Sequence, residues 1–240
     1  MLKIALLGYG KMGKAIEEAA VKKGHTIQLI IDQYNLADLT PENIQKADVA
    51  IEFSNPDSAV NNILFCLEQG VPVISGTTGW TANMERVQKK CAELSGTFLY
   101  ASNYSIGVNI FFELNEALAN LMRTHQEYNI VMEEVHHTQK MDAPSGTAIT
   151  LAQQIIQSSD SKQKWINAMS ALPEELPIVS KRIDEVPGTH TVTYTSPIDD
   201  IEIKHTAHTR AGFAAGAVLA AEFVKDKKGI FSMKDVLGFA

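Results

Sequence analysis

The segment Gly8-Tyr9-Gly10-Lys11-Met12-Gly13 constrains this chain more than any other. It is a G-x-G-x-x-G loop that follows a strand-like run, Lys3–Leu7, and opens a helical pattern, Met12–Lys23. Glycines at those spacings permit a tight turn and let a pyrophosphate approach the backbone amides of a helix N-terminus. A second strand, Thr26–Asp32, completes the start of a βαβ unit. Its last residue, Asp32, stands where an acid accepts the ribose hydroxyls of a dinucleotide. The bland reading of the same residues is a glycine turn with a surface acid, but strand, loop and helix stand in the order a dinucleotide site needs. An acid at this point repels a 2′-phosphate. Gln33 and Tyr34 bring no compensating charge and Lys11 only part of it, so NADH is the expected cofactor, with NADPH tolerated.

The alternation continues for a hundred residues. Asp48–Phe53 reads as a strand, and Asn55, Pro56 and Asp57 form a helix start: a cap, a proline at the first helical position and an acid at the positive end of the dipole. The apolar stripe Val60, Ile63, Leu64, Leu67 follows, ended by Gly70. Val71–Ser75 is a strand, Met84, Val87, Cys91 and Leu94 share a helical face, and Thr97–Ala101 is a strand again. Strands and helices of these lengths imply an α/β, Rossmann-like domain with a parallel sheet. After Asn103 the pattern changes. A long helix over about Val108–Arg123, a strand over Asn129–His137 and a helix from Ser145 to Gln157 precede a polar stretch, Ser158 to Ser180, that reads as irregular. Two strands, Thr189–Thr195 and Asp200–Ala207, complete an α+β segment with an open mixed sheet. The tail is helical from Phe213 to Val224, and Val236–Phe239 closes the chain.

Bulk properties exclude several classes. The net charge of −7 and the lack of a basic patch argue against nucleic acid. The longest apolar stretch, Ala211 to Val224, is too short and too alanine-rich to cross a bilayer, and the N-terminal apolar run leads into the glycine loop rather than a cleavage site. Cys66 and Cys91 lack metal spacing and fall on apolar stripes, as reduced, inert thiols would. A cytoplasmic protein with no metal is expected.

The chemistry concentrates in Glu134-Val-His136-His137-Thr-Gln-Lys140-Met-Asp142-Ala-Pro144-Ser145-Gly146-Thr147-Ala148. Two histidines end a strand, a lysine follows, and Ser145-Gly146-Thr147 opens a helix. Imidazoles, an ammonium and a helix N-terminus all favour carboxylate ligands. In a regular strand His136 and His137 would face opposite ways, so irregular backbone is expected from His136 onward.

This segment resembles the signature of the 4-hydroxy-tetrahydrodipicolinate (dihydrodipicolinate) reductase family. Phe53-Ser54-Asn55-Pro56, Gly76-Thr77-Thr78-Gly79, Ala101 to Asn109, Gly188-Thr189-His190 and Arg210 to Gly216 stand in the family's order, so the resemblance covers nearly the whole chain. It implies a dinucleotide-binding domain of residues 1–105 completed by 211–240, and a substrate-binding and oligomerisation domain of residues 106–210 that builds a homotetramer. It also implies reduction of a small cyclic dicarboxylate, dihydrodipicolinate, in the diaminopimelate route to lysine. Gly76, Thr77, Thr78, Ala101, Ser102, Asn103 and Tyr104 would line the nicotinamide end, His136 and Lys140 would carry the proton, and His137, Ser145, Gly146 and Thr147 would bind substrate. The chain departs from the family in having Tyr104 for a phenylalanine, Asp32 for a glutamate, a tighter glycine loop, and no glycine within Arg182–Pro187. Competing readings are a related amino-acid or semialdehyde dehydrogenase, or a dinucleotide-binding redox sensor without catalysis. His205 and His208 read as structural and Glu113 and Glu116 as solvated or interfacial; the roles of His190 and Arg210 stay open, Arg210 either orienting a carboxylate or, the favoured reading, bracing a hinge.

Overall fold

A computed structural model describes residues 1–170, 172–209 and 211–239. The chain divides into two compact units, Met1–Ile106 with Ala211–Ala240, and Gly107–Arg210. Arg210, read from sequence as a hinge residue, lies outside the described residues.

The first unit begins β1 (Lys3–Leu7), α1 (Lys11–Lys22), β2 (Thr26–Ile31), α2 (Pro41–Ile44), β3 (Val49–Glu52), α3 (Pro56–Glu68), β4 (Val73–Ser75), α4 (Met84–Glu93) and β5 (Thr97–Tyr100). The second unit contains α5 (Ile106–Met122, its first residue counted with the first unit), β6 (Asn129–His136), α6 (Gly146–Ser158), β7 (Lys164–Ile166), β8 (Glu175–Arg182), β9 (Gly188–Thr195) and β10 (Asp200–Ala207). The tail returns to the first unit as α7 (Ala211–Val224), β11 (Gly229–Phe231) and α8 (Met233–Leu237).

In the first unit six parallel strands lie in the order β11-β5-β4-β3-β1-β2. Because side chains alternate along a strand, each strand feeds two cores. Ile4 and Leu6 of β1 and Val49 and Ile51 of β3 pack with Ile16 and Ala20 of α1 and with Ala217, Val218 and Ala221 of α7. Ala5, Leu7 and Ala50 face the other way, onto Ile44, Ile63, Leu67, Val87 and Cys91. Helix α3 starts as its sequence requires, with Asn55 Oδ1 accepting from the amides of Asp57 and Ser58 at 3.1 Å each. The short strand β11 escapes the sequence reading because three residues carry no periodicity.

Helix α7 is buried nearly all round, and small residues allow its close approach. A Cβ on Gly216 would stand 1.7 Å from the carbonyl oxygen of Tyr104. No helix among the described residues is long and apolar enough to cross a membrane.

The second unit is a five-stranded mixed sheet, β10-β9-β6-β8-β7, with β9 antiparallel to both neighbours and β8 parallel to both. One face carries an apolar core in which Met132, Ile178, Val192 and Tyr194 meet Phe111 and Ala119 of α5 and Leu151, Ala152 and Ile155 of α6. The stretch read as irregular, Ser158 to Ser180, holds β7 and most of β8, which is a correction to the sequence reading. Pro177 hid it, since proline argues against an inner strand. The structure accommodates it because pairing of β8 with β6 starts only at Met132↔Ile178.

Candidate active site

In the first unit the glycine loop joins β1 to α1 at the point where strand order reverses, with β2 on one side of β1 and β3 on the other. The three glycines do different things. Gly8 has φ +102° and a Cβ there would meet the Phe53 carbonyl oxygen at 2.1 Å, while one on Gly13 would meet the Gly8 carbonyl at 2.4 Å. Around Gly10, by contrast, a Cβ would meet nothing within 4 Å. Gly10 caps α1 without a side-chain hydrogen bond, and the first turn holds no acid. That is an open, electropositive helix end of the kind that fits a dinucleotide pyrophosphate. Lys11 and Met12 form its first turn, and Tyr9 turns aside to bond its hydroxyl to Glu17. Asp32 follows β2, where its Oδ1 accepts the Tyr34 amide at 2.7 Å.

The carboxyl ends of β4 and β5 carry the other expected cofactor residues. A Cβ on Gly76 would lie 2.2 Å from the Phe53 ring, Thr77 is buried and Thr78 is exposed. Ala101 donates its amide to Ser75 at 3.2 Å, and Ser102 and Asn103 lie at or near the surface. Tyr104 turns its side chain inward. It is 2% exposed, its hydroxyl donates to the Ser75 carbonyl at 2.8 Å, and its ring lies 5.5 Å from that of Phe53. The hydroxyl that distinguishes Tyr104 from the family's phenylalanine is thus used inside the core.

Glu52, the last residue of β3, drew no attention in the sequence, yet its side chain is fully buried. It accepts from the Ser54 amide at 3.0 Å, the Thr77 hydroxyl at 2.9 Å, the Ser75 hydroxyl at 2.6 Å and the Ser54 hydroxyl.

In the second unit the inward face of the sheet is apolar at one end and ionisable at the other. Along β6 the residues Met132, Glu134 and His136 share this face, paired with Val192 and His190 of β9 and with Ile178, Ser180 and Arg182 of β8. The strand stays regular through His136 and only then turns, one residue later than expected. That places His136 inward, 7% exposed, and leaves His137 to the turn outside it. Gly188 makes room, because a Cβ there would sit 3.0 Å from His136 Nε2.

Glu134, also fully buried, organises this end. Its carboxylate accepts from the Ser145 amide and from Arg182 Nη2, both at 3.0 Å, and Oε2 lies 3.4 Å from His136 Nδ1. Burial works to raise the Glu134 carboxyl, but hydrogen bonds from His136, Ser145 and Arg182 outweigh it and hold it below the ordinary carboxylate range. Arg182 also donates to the carbonyls of Lys140 at 3.3 Å and Asp142 at 2.6 Å, so one guanidinium ties the lysine turn to Glu134. Lys140 Nζ bonds both carboxylate oxygens of Asp142 at 2.8 Å. Ser145 caps α6, with its hydroxyl accepting from Ala148 at 3.2 Å and lying 3.1 Å from His190 Nε2. Gly146 and Thr147 form the first turn of α6, and neither is acidic.

His190 is pulled down to about 3 by burial, with the neighbouring His136 adding to it, so it is neutral at physiological pH. Neutral His190 can accept the Ser145 proton at Nε2, a tautomer inferred from the hydrogen-bond network. Glu134, His136 and His190 lie close enough together to hold a metal ion. Arg182, bonded to the same carboxylate, competes for that charge.

The structure therefore brings His136, Ser145 and the Lys140 turn together through Glu134 and Arg182. His137 instead lines an open groove with Thr138, Gln139 and Asp184 to Pro187. Glu134, Arg182 and Glu52 were missed as functional residues. Glu134 had a signal, lying two residues before His136 on the same strand face.

Comparison with known proteins identifies the family. Residues 2–104 match the family described as dihydrodipicolinate reductase, N-terminus, and residues 107–237 match dihydrodipicolinate reductase, C-terminus. The 4-hydroxy-tetrahydrodipicolinate reductase of Christiangramia forsetii is 50% identical over 238 residues, covering 98% of both chains. That of Methanosarcina acetivorans is 36% identical over 240 residues, covering 98% of this chain and 89% of its own. Among solved structures, dipicolinate-bound dihydrodipicolinate reductase from Paenisporosarcina sp. TG-14 shares the fold at a TM-score of 0.77, with 23% identity over 97% of each chain. The scyllo-inositol dehydrogenase of Lactobacillus casei shares it more loosely, at 0.54, 12% identity and coverage of 94% and 87%, so the fold alone does not choose a substrate. The sequence matches do: this chain belongs to the dihydrodipicolinate reductase family.

Proposed function

We propose that the chain is a nicotinamide-dependent 4-hydroxy-tetrahydrodipicolinate reductase, in which residues 1–105 and 211–240 hold the dinucleotide and residues 106–210 hold the cyclic dicarboxylate. The observation that carries this reading is the Glu134–Arg182 pair, which fastens a strand-end histidine, a lysine turn and a helix N-terminus into one site. A relative of that activity at 50% identity over nearly the whole chain supports it.

When bound, the nicotinamide supplies a hydride. Gly8, Gly10 and Gly13 leave the backbone of the α1 N-terminus open to the pyrophosphate, with Tyr9, Lys11 and Met12 around it. Asp32 receives the ribose hydroxyls, and Gly76, Thr77, Thr78 and Ala101 to Tyr104 form the wall at the nicotinamide end. Asp32 makes NADH the preferred cofactor. Loss of the 4-hydroxyl as water leaves a conjugated C=N–C=C system, and hydride arrival at its distal carbon drives electrons toward nitrogen. That electron flow has to be met by a proton. The Lys140 ammonium, steered by Asp142, meets the growing charge and gives the proton, and His136, backed by Glu134, takes part in the same transfer. His137, Ser145, Gly146 and Thr147 bind the carboxylates at the positive end of α6. The enzyme works as a homotetramer in the cytoplasm.

Pyridine-2,6-dicarboxylate, a planar dianion, tests the substrate assignment. It should compete with the cyclic substrate in a steady-state assay, and pyridine-2-carboxylate should bind worse by about 10-fold or more, the effect of one lost charge-assisted contact at about 1.5–3 kcal/mol. Equal inhibition by the two compounds contradicts a site that reads two carboxylates.

A further inference from the structure

Glu52 ends the strand at the reversal point of the parallel sheet. Leu7, which precedes the glycine loop, pairs with it on one side, and Ser75, which precedes Gly76-Thr77-Thr78, pairs with it on the other. Its carboxylate is fully buried, and among the described residues no cationic side chain forms an ion pair with it. Four donors converge on it instead, one of them a backbone amide that can only donate. An isolated buried carboxylate is costly, and apolar packing or a neutral side chain would fill the same space more cheaply. Its charge is felt nearby: burial first, then the Glu52 charge, pushes the Tyr104 hydroxyl well above its ordinary range.

We propose that Glu52 is a positioning residue whose buried negative charge favours the oxidised, positively charged nicotinamide over the reduced, neutral one. The inference rests on the dinucleotide reading of the first unit. It adds a charge effect to the mechanical one. Through Ser75 and Thr77 the carboxylate fixes the turn that closes β4, and through space it acts on whatever charge the ligand carries there. Loss of hydride converts the nicotinamide from a neutral to a cationic ring, so a fixed negative charge beside that end lowers the energy of the departing state. A hydroxyl network without a charge would hold the turn equally well and leave the two redox states indifferent to residue 52.

The test is a pair of direct titrations, NADH and NAD⁺, on purified wild type, Glu52→Gln and Glu52→Asp, with thermal melting as a control for folding. Glutamine nearly preserves shape and can still accept from Ser54. The ratio Kd(NAD⁺)/Kd(NADH) should rise about three- to tenfold in Glu52→Gln, the order expected of one charge acting across several ångströms of partly polar protein. In Glu52→Asp, which keeps the charge on a shorter arm, both affinities should fall while the ratio stays within about twofold of wild type. Equal loss of both affinities in Glu52→Gln, or no change, overturns the proposal and leaves Glu52 a structural residue. Should Glu52→Gln fail to fold, Glu52→Ala takes its place, and a ratio within about twofold of wild type there overturns the proposal. Wild-type protein that binds neither dinucleotide overturns the underlying reading, and the inference with it.

Discussion

At the scale of single residues, two fully buried glutamates do opposite kinds of work. Glu134 is balanced by Arg182 and joins three chain segments, whereas Glu52 is held by hydrogen bonds and has no ion-pair partner among the described residues. Glu52 does not stand out in the sequence, because burial of an acid depends on which residues a sheet places beside it. Asp32 is the opposite case, since its place at the end of a strand after a glycine loop is visible in the chain itself. Its effect on cofactor choice should be measurable. Asp32→Ala should move kcat/KM toward NADPH, relieving repulsion of the 2′-phosphate, while wild type favours NADH. A wild-type preference for NADPH of tenfold or more, about 1.4 kcal/mol, would show that Lys11 outweighs Asp32.

At the scale of elements, the parallel sheet and its helices were legible because apolar runs, caps and glycines agreed with one another. Asn55-Pro56-Asp57 is an example where three independent signals mark one helix start. Strand β8 was hidden because its proline is excused only by a register that begins one residue later, which is tertiary information. The strand-end histidines were read as needing irregular backbone, and the break falls after His136. The ionisable end of the β6–β9 sheet also sets an acid-stability prediction. His190 binds no proton in the folded protein until about pH 3, whereas an unfolded histidine binds one below its ordinary 6.5. Unfolding therefore takes up a proton between those values, and stability falls as pH drops through that window. Between pH 7 and 5 the loss from this residue should be roughly 2 kcal/mol. Glu134, held below its ordinary range, adds a further loss once the pH falls under about 4.5. Chemical denaturation of wild type and His190→Phe at both pH values checks this. The variant should be less stable at pH 7 and should lose less on acidification; an unchanged pH slope contradicts it.

At the scale of the whole molecule, the second unit has helices on one face of its sheet only, and the other face carries Val131, Val135, Thr189, Thr191 and Thr193, all half-buried. A tetramer built through that face should scatter light at four times the mass of the chain, and Thr191→Arg should reduce that mass without unfolding the protein. A wild-type monomer contradicts the assembly. Nothing in the sequence itself marked this face, since alternating threonine and apolar residues suit any half-covered strand. Lys140 and the glycine loop belong to different units, so a change at Lys140 should leave dinucleotide binding alone. The most direct measurement is kcat for wild type and Lys140→Met with the cyclic substrate, with NADH titrated into the same samples. The expected result is a kcat lowered about 10²–10⁴-fold, as for loss of a general acid, with the NADH dissociation constant within a few-fold of wild type. A Lys140→Met enzyme that turns over at the wild-type rate contradicts the assignment of the proton to this site.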